Sequence, residues 1–321
     1  MRKIAGALAA WVFLTATAWC APLDATVIPG SSRWIIHVDA EAFKMSSTYA
    51  EWRKLIVGLP VERHLQGLAA VSGVNPFDDV QSITLCGPDA VHSRAIAMIQ
   101  GRFDRDRLTT LAQGVAGITS TVYNGATIYS WPDPRQGTNK RGWGAFLRTD
   151  LIAFAADEAP LKAAIDTIAG QSPALDGAMT DWAGTRGSFF FLGAAKGLAT
   201  MDGVHPNAAI VQRVVNARVN MGEAEGELVF EALIEADSAE AAEQMRQMVD
   251  GFRAMLLLKS KDNPDAAGIA SAIEVAVSGS SLSIRFHKSV PTLFDVLRKK
   301  VEAFKNRTNA RLALPAGPVV K

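Results

Sequence analysis

Apolar residues recur along this chain at two spacings, which predict strands that alternate with helices. Alternation predicts an opening strand over residues 33–38, and apolar residues at i, i+3 and i+4 predict a helix over residues 48–57 that ends before Pro60. Paired strands are predicted at residues 80–86 with 94–101, at 121–123 with 127–131, and at 143–148 with 151–156. Further helices are predicted at residues 61–72, from Asp104 to about residue 115, and at 158–169.

The second half of the chain repeats much of this order. Strands are predicted at residues 187–193, 211–222 and 227–235, followed by a helix at 238–258 whose start at Asp237 resembles a capping box. Residues 151–168 and 282–299 align without a gap at a spacing of 131 residues, which places Leu151 on Leu282 and Pro160 on Pro291. The pattern therefore predicts an internal duplication.

Antiparallel hairpins separated by helices predict an α+β fold with two similar halves, each a mainly antiparallel sheet with helices packed on one face. The halves are predicted at residues 22–170 and 187–307, with a linker at 171–186 that is rich in small residues. Residues 308–321 are predicted to be a disordered tail. The open faces of the two sheets then either pack together or form a groove.

The N-terminus has the layout of a secretory signal peptide, predicted at residues 1–21. Arg2 and Lys3 precede an apolar run of about sixteen residues, and small residues follow before Pro22. That run is shorter than the roughly twenty residues of a spanning helix, so we expect cleavage rather than anchoring. The sequence thus predicts a periplasmic or secreted protein that does not span the membrane after cleavage.

The cleavage point decides how many cysteines remain. A cut after Ala18 leaves Cys20 and Cys86, a cut after Cys20 or Ala21 leaves Cys86 alone, and lipid attachment to Cys20 is disfavoured by the bulky Trp19 before it. With at most one disulfide, the fold must be stabilised by its apolar core. About half of the residues are apolar, which is enough for a sizeable core.

Charge is distributed unevenly along the chain. Residues 285–321 contain nine Lys or Arg and two acidic residues, although the formal net charge of the whole chain is +1. Within this region a predicted amphipathic helix at residues 290–305 carries the basic residues Arg298, Lys299, Lys300 and Lys305. These residues could contact anionic lipid or an acidic partner, whereas ordinary packing of the helix on the core is the simpler interpretation.

No motif for catalysis or for a cofactor stands out. The five histidines have no spacing that would pair them as metal ligands, and we predict neither a metal nor a cofactor. Asp39 and Glu41 could form an acid/base pair, but the simpler interpretation is that they start a helix. Glu223, Glu225 and Glu227 could bind a cation, but a solvated hairpin end is favoured. No nucleophile elbow or phosphate loop is present.

A polar segment at residues 132–142 is the first candidate binding site. It is bracketed by two tryptophans and carries three basic residues, so the candidate residues are Trp131, Arg135, Lys140, Arg141 and Trp143. Exposed tryptophans can stack on a sugar or on a ring of a partner. The alternative is a plain hairpin whose tryptophans face the core.

Two short motifs resemble those of a group of uncharacterised exported bacterial proteins. The motifs are the Trp-Ile-Ile-His-Val-Asp strand from Trp34 to Asp39 and the Gly-x-Phe-Asp join from Gly101 to Asp104. This resemblance implies a cell-envelope protein and no catalytic residues.

Together these observations predict an exported protein that acts by binding an envelope protein, a lipid or a small ligand, and no nucleic acid. The alternatives are an envelope hydrolase built from Asp39, Glu41 and His92, or a purely structural interaction module with a large exposed apolar patch. An apolar groove between the halves would favour a carrier.

Overall fold

A computed structural model describes residues 21–133, 137, 140–177, 179, 189–204, 209–261 and 264–312, with side chains up to residue 302 apart from that of residue 264. Its strands are β1 Trp34–Asp39, β2 Val80–Gly87, β3 Ile96–Gly101, β4 Thr119–Tyr123, β5 Ala126–Pro132, β6 Arg141–Arg148, β7 Leu151–Ala155, β8 Phe189–Lys196, β9 Val214–Ala224, β10 Glu227–Ala236, β11 Ile273–Ser278 and β12 Ser281–Ser289. Its helices are α1 Ala40–Lys44, α2 Ser47–Ile56, α3 Pro60–Ser72, α4 Arg105–Gln113, α5 Glu158–Ile168, α6 Ala239–Leu258, α7 Pro264–Ser271 and α8 Val290–Leu312.

The twelve strands form one antiparallel sheet in the order β11-β12-β10-β9-β8-β1-β2-β3-β7-β6-β5-β4. The predicted α+β class is therefore confirmed. The two predicted halves meet where β1 pairs with β8, with Trp34 opposite Ala195 and Val38 opposite Phe191. The halves thus join edge to edge in a shared sheet, because each supplies a strand whose backbone groups need a partner.

The strand order of the first half returns in the second. Reading outward from the β1–β8 pair, the first half runs β1-β2-β3-β7-β6 and the second runs β8-β9-β10-β12-β11. The first half adds a hairpin, β5-β4, at its outer edge. The repeated order fits the predicted duplication, which stays a prediction.

Two core clusters lie on opposite faces of the sheet. In the first, Leu161 of α5 packs with residues of β1, β2, β3, β7 and β8, among them Ala194. In the second, Met245 of α6 packs with residues of β9, β10 and β12, among them Ala217. Since Ala194 pairs with Arg218, the adjacent Ala217 points away from the face that carries Ala194.

Helix boundaries depart from the sequence expectations at two places. Helix α8 continues to Leu312, inside the range 308–321 predicted to be a tail, and residues 313–321 lie outside the described ones. The cap of α6 is Ser238, whose side chain accepts a hydrogen bond from the Ala241 backbone, whereas Asp237 binds Arg213. Ser238 is therefore the residue that starts this helix.

Candidate functional site

The face of the sheet opposite α5 carries a continuous apolar surface that extends from β7 across β3, β2 and β1 to β8. The sheet register brings its members together row by row, since Ile36 lies opposite both Leu85 and Gly193, and Ala97 lies between Leu85 and Phe154. We call this surface the open face and define it as Ile36, Val38, Ile83, Leu85, Ala97, Ile99, Phe154 and Phe191.

The open face contains no charged residue and remains open to solvent. Ile36 and Ile83 are each 37% exposed and Phe154 is 40% exposed. Single exposed apolar residues are ordinary on protein surfaces, but these three belong to neighbouring rows of one sheet face. A contiguous uncharged surface of this kind is a candidate contact site.

Helix α4 lies over one side of this sheet face but does not pack closely against it. A cavity of about 160 Å³ separates Leu108 and Ala112 of the helix from Phe146, Ile152 and Phe154 of the sheet. No residue of α4 is buried. The helix therefore borders the open face and packs against it loosely.

A second cavity, which we call the tryptophan pocket, lies at one end of the open face. It measures about 430 Å³, and its lining includes Trp34, His92, Trp131 and Phe154. The Trp34 indole nitrogen donates a hydrogen bond to the Asp89 carbonyl at 2.6 Å. Trp131 and Phe154 meet nearly edge to face, with ring centroids 6.3 Å apart. The pocket thus presents aromatic surface that backbone and ring contacts hold in place.

Gly142 leaves the space that the Trp131 ring occupies. Strand β5 places Trp131 opposite Gly142, and a Cβ atom at residue 142 would meet the Trp131 ring at 2.7 Å. Because that separation is shorter than any ordinary van der Waals contact, the ring can lie flat across β6 in the presence of glycine alone.

The predicted tryptophan site is divided by the sheet. Trp143 pairs with Ser130 while Trp131 pairs with Gly142, so the two indole rings point to opposite faces, and Trp143 packs against the first core cluster. The Arg141 guanidinium donates to the Ser130 hydroxyl and carbonyl, the Gly117 carbonyl and the Thr119 hydroxyl.

Arg141 therefore links β4 and β5 by hydrogen bonds to Thr119 and Ser130. Lys140 is exposed beside β6, and Arg135 lies outside the described residues. Of the described candidates, Trp131 and Trp143 both line the tryptophan pocket, and Trp131 does so with its side chain on the open face. The sequence did not connect it with Trp34 or His92.

The three residues of the alternative hydrolase site are not brought together. Asp39 and Trp34 stand at opposite ends of β1, about 17 Å apart at 3.3 Å per residue, and His92 lines the pocket at the Trp34 end. The Asp39 carboxylate accepts hydrogen bonds from the backbone of Ala21 at 3.0 Å and of Ala42 at 2.8 Å. Glu41 pairs with Lys44 at 2.9 Å. Asp39 thus caps the start of α1, and Glu41 pairs with Lys44 within the same helix.

Glu223 connects the two halves. Its carboxylate accepts hydrogen bonds from the Thr48 backbone and hydroxyl, both at 2.8 Å, and from the Ser47 hydroxyl at 2.8 Å and backbone at 3.2 Å. Burial opposes ionisation, but the hydrogen bonds from Thr48 and Ser47 outweigh it and lower the pKa of Glu223. This glutamate therefore caps α2 across the junction of the predicted halves. Among the described residues, no group of three His, Cys, Asp or Glu side chains is placed so that it could hold a metal ion.

Acidic residues accompany the basic residues of α8. Arg298 binds Glu51 of α2 and Asp295 of its own helix, and Lys299 lies 3.5 Å from Asp265. Lys300 is exposed, while the side chain of Lys305 lies outside the described ones. The acidic partners reduce the positive charge that this helix could offer to an anionic surface.

Cys86 lies at the centre of the first core cluster. Its side chain is fully buried and forms no disulfide with any described residue. Burial raises the pKa of the Cys86 thiol to about 11, against a smaller opposing effect of the Ser32 hydroxyl. The thiol is therefore a packing group.

Among known proteins, this chain is similar in structure to solved proteins at low sequence identity. No family model and no curated protein matches the chain, and no helix within the described ranges is long and apolar enough to cross a membrane. Two crystal forms of TP0453 each have a TM-score of 0.46 and each cover 87% of this chain. Form III is 8% identical and covered over 99% of its length, and form I is 10% identical and covered over 98%. At this level of similarity the function has to be inferred from the chain's own geometry.

Proposed function

We propose that this protein is an exported cell-envelope protein that acts by binding, and that the open face contacts an apolar segment of a protein partner. The observation that carries the proposal is the uncharged surface on which Ile36, Ile83 and Phe154 are each 37–40% exposed. Export is supported by the N-terminal sequence, in which Arg2 and Lys3 precede the apolar run.

The dimensions of the open face favour a macromolecular partner. It extends from β7 to β8, which are separated by four strand spacings or about 19 Å. A surface of that width without a charged group suits the apolar side of a protein segment, because such a segment leaves its polar groups turned to solvent.

A photo-crosslinking amino acid at residue 83 tests this proposal in the native cell envelope. We expect a covalent adduct with one protein of defined mass. Val215 is the matched control, because it is an apolar residue of nearly the same exposure, 38%, at the start of β9 and outside the open face. Equal adducts from residues 83 and 215, or none from either, would overturn the proposal.

The tryptophan pocket supports a second candidate function, the binding of a small apolar ligand or lipid. Its volume of about 430 Å³ lies within the usual range of ligand pockets, roughly 300–1,000 Å³. Native mass spectrometry of the gently purified protein distinguishes the two functions. A bound mass of a few hundred daltons would favour the carrier, and a second protein mass would favour the partner.

A further inference from the structure

Three buried polar side chains lie together near the end of β1 that leads into α1. They are His37 and Asp39 of β1 and Thr84, which lies opposite His37 on β2. The Nδ1 atom of His37 is 2.9 Å from the Thr84 hydroxyl, and its Nε2 atom is 3.1 Å from the Ala21 carbonyl. Because a carbonyl can only accept, Nε2 carries the proton and the Thr84 hydroxyl donates to Nδ1. The imidazole is thus oriented to bind the backbone of Ala21.

Asp39 binds the other backbone group of Ala21. One carboxylate oxygen accepts a hydrogen bond from the Ala21 nitrogen at 3.0 Å, and the other accepts one from the Ala42 amide at 2.8 Å. After Ala21, the side chains of Leu23 and Ala25 pack against the first core cluster. The chain is therefore docked on the sheet from Ala21 onward, and two side chains of β1 hold this residue.

The Asp39 carboxylate forms no ion pair with a Lys or Arg in the described part of the chain. Its neighbour His37 is neutral, because burial lowers the pKa of that imidazole, and Lys44 of α1 pairs with Glu41 at 2.9 Å. A buried carboxylate is costly unless hydrogen bonds and a positive charge compensate it. A positive charge on the Ala21 nitrogen would meet this need at the observed 3.0 Å.

The sequence before Ala21 provides a way to place that charge. Ala18 and Cys20 are small residues at the third and first positions before the Cys20–Ala21 bond, as cleavage of a secretory leader requires. A cut after Ala18 would leave the Ala21 nitrogen as an uncharged amide, and a cut after Ala21 would remove the residue. Ala21 is half-buried and Pro22 is partly exposed to solvent at its far side, so the remaining donors of an ammonium group can reach water.

We infer that the leader is removed between Cys20 and Ala21, and that the new α-ammonium group of Ala21 forms an ion pair with Asp39. Hydrolysis of this peptide bond consumes one water and leaves a carboxylate on Cys20 and the ammonium on Ala21. The inference rests on export, which is part of the proposed function. It makes Cys86 the only cysteine of the mature protein, which then has neither a disulfide within the chain nor a lipid on Cys20.

The intact mass of the protein purified from its native cells locates the cut. We expect a chain that begins at Ala21. A chain that begins at Trp19 or Pro22, or a mass that includes a lipid on Cys20, would overturn this inference and leave export standing. A chain that retains the whole leader would overturn export itself, and with it the proposed function.

A double-mutant cycle tests the ion pair. Asp39→Asn is made in a protein that begins at Ala21 and in one with Gly-Ser added before it, which turns the Ala21 nitrogen into an amide. We expect Asp39→Asn to lower the folding equilibrium constant about tenfold more in the first form, because hydrogen bonds between charged groups are the stronger ones. Asp104→Asn is the control, because Asp104 caps α4 and should have the same effect in both forms.

The unsubstituted proteins provide a second measurement if Asp39→Asn does not fold. The form with Gly-Ser should have a lower urea midpoint than the form that begins at Ala21, because it lacks the charge beside Asp39. Equal midpoints of these two forms, or equal effects of Asp39→Asn in both, would overturn the ion pair.

Discussion

Replacing Glu223 by Gln should lower the free energy of unfolding by about 1–2 kcal/mol at pH 7. Four donors from Ser47 and Thr48 converge on the carboxylate, and two of them are backbone amides in the first turn of α2. Loss of a helix cap costs roughly 1 kcal/mol, and hydrogen bonds to a charged group contribute more than those to a neutral one. The amide of Gln keeps one accepting oxygen, which limits the loss.

The pH dependence of this effect has a definite sign. The pKa of Glu223 lies below its ordinary value of 4.5 in the folded protein, so its contribution to stability is present above that value and is lost as the pH falls through the lowered pKa. The difference between the native protein and Glu223→Gln should therefore be full at pH 7 and should shrink as the pH falls below 4.5.

Urea unfolding at pH 7 and at pH 3.5 measures this difference. Glu225→Gln is the control, because it removes the same charge two residues away, where no described residue supplies a side-chain hydrogen bond to Glu225. A surface change of that kind should stay within about 0.5 kcal/mol. Equal effects of the two variants at pH 7, or a Glu223 effect that persists undiminished at low pH, would refute the cap.

Three further predictions follow from the described geometry. Gly142→Ala should displace the Trp131 ring, which its Cβ would meet at 2.7 Å, and cost about 1–3 kcal/mol, seen as a fluorescence shift and a lower urea midpoint. Cys86, with a pKa of about 11 and no exposed surface, should react with a thiol reagent at pH 8 after unfolding and not before; fast reaction of the folded protein would contradict this. Burial lowers the pKa of His37 against the opposing effects of the Ala21 carbonyl and Asp39, so the free energy of unfolding should fall as the pH drops from 6.5 through the lowered pKa. His37→Gln should flatten that part of the curve of urea midpoint against pH. An unchanged curve would exclude His37 as the source of the pH dependence.

Local pattern was sufficient to predict most elements of this fold. Alternation and caps place β2, β3, α5 and α6 within a few residues of their bounds, because these signals arise from neighbours along the chain. Strand β11 and helix α7 were not predicted, although Ile273, Val275 and Val277 alternate as a strand requires.

The long-range features could not be read from the pattern. The pairing of β1 with β8 and the opposite placement of the two core clusters depend on register between strands that lie far apart in sequence. The same holds for Trp131, which meets Trp34 and His92 in one pocket. One local signal was present: β1 has apolar residues on both faces, Ile35 on one and Ile36 on the other, which is typical of a strand covered on both sides.

The binding role of the open face is tested most directly by native mass spectrometry of the protein drawn gently from its envelope, beside its Ile83→Asp variant. Ile83 is 37% exposed, so the substitution should spare the fold while placing a charge at the centre of the surface. We predict a second protein mass bound to the native protein and absent from the variant. The same bound mass in both, with the fold of the variant intact, would contradict the open face as the contact surface.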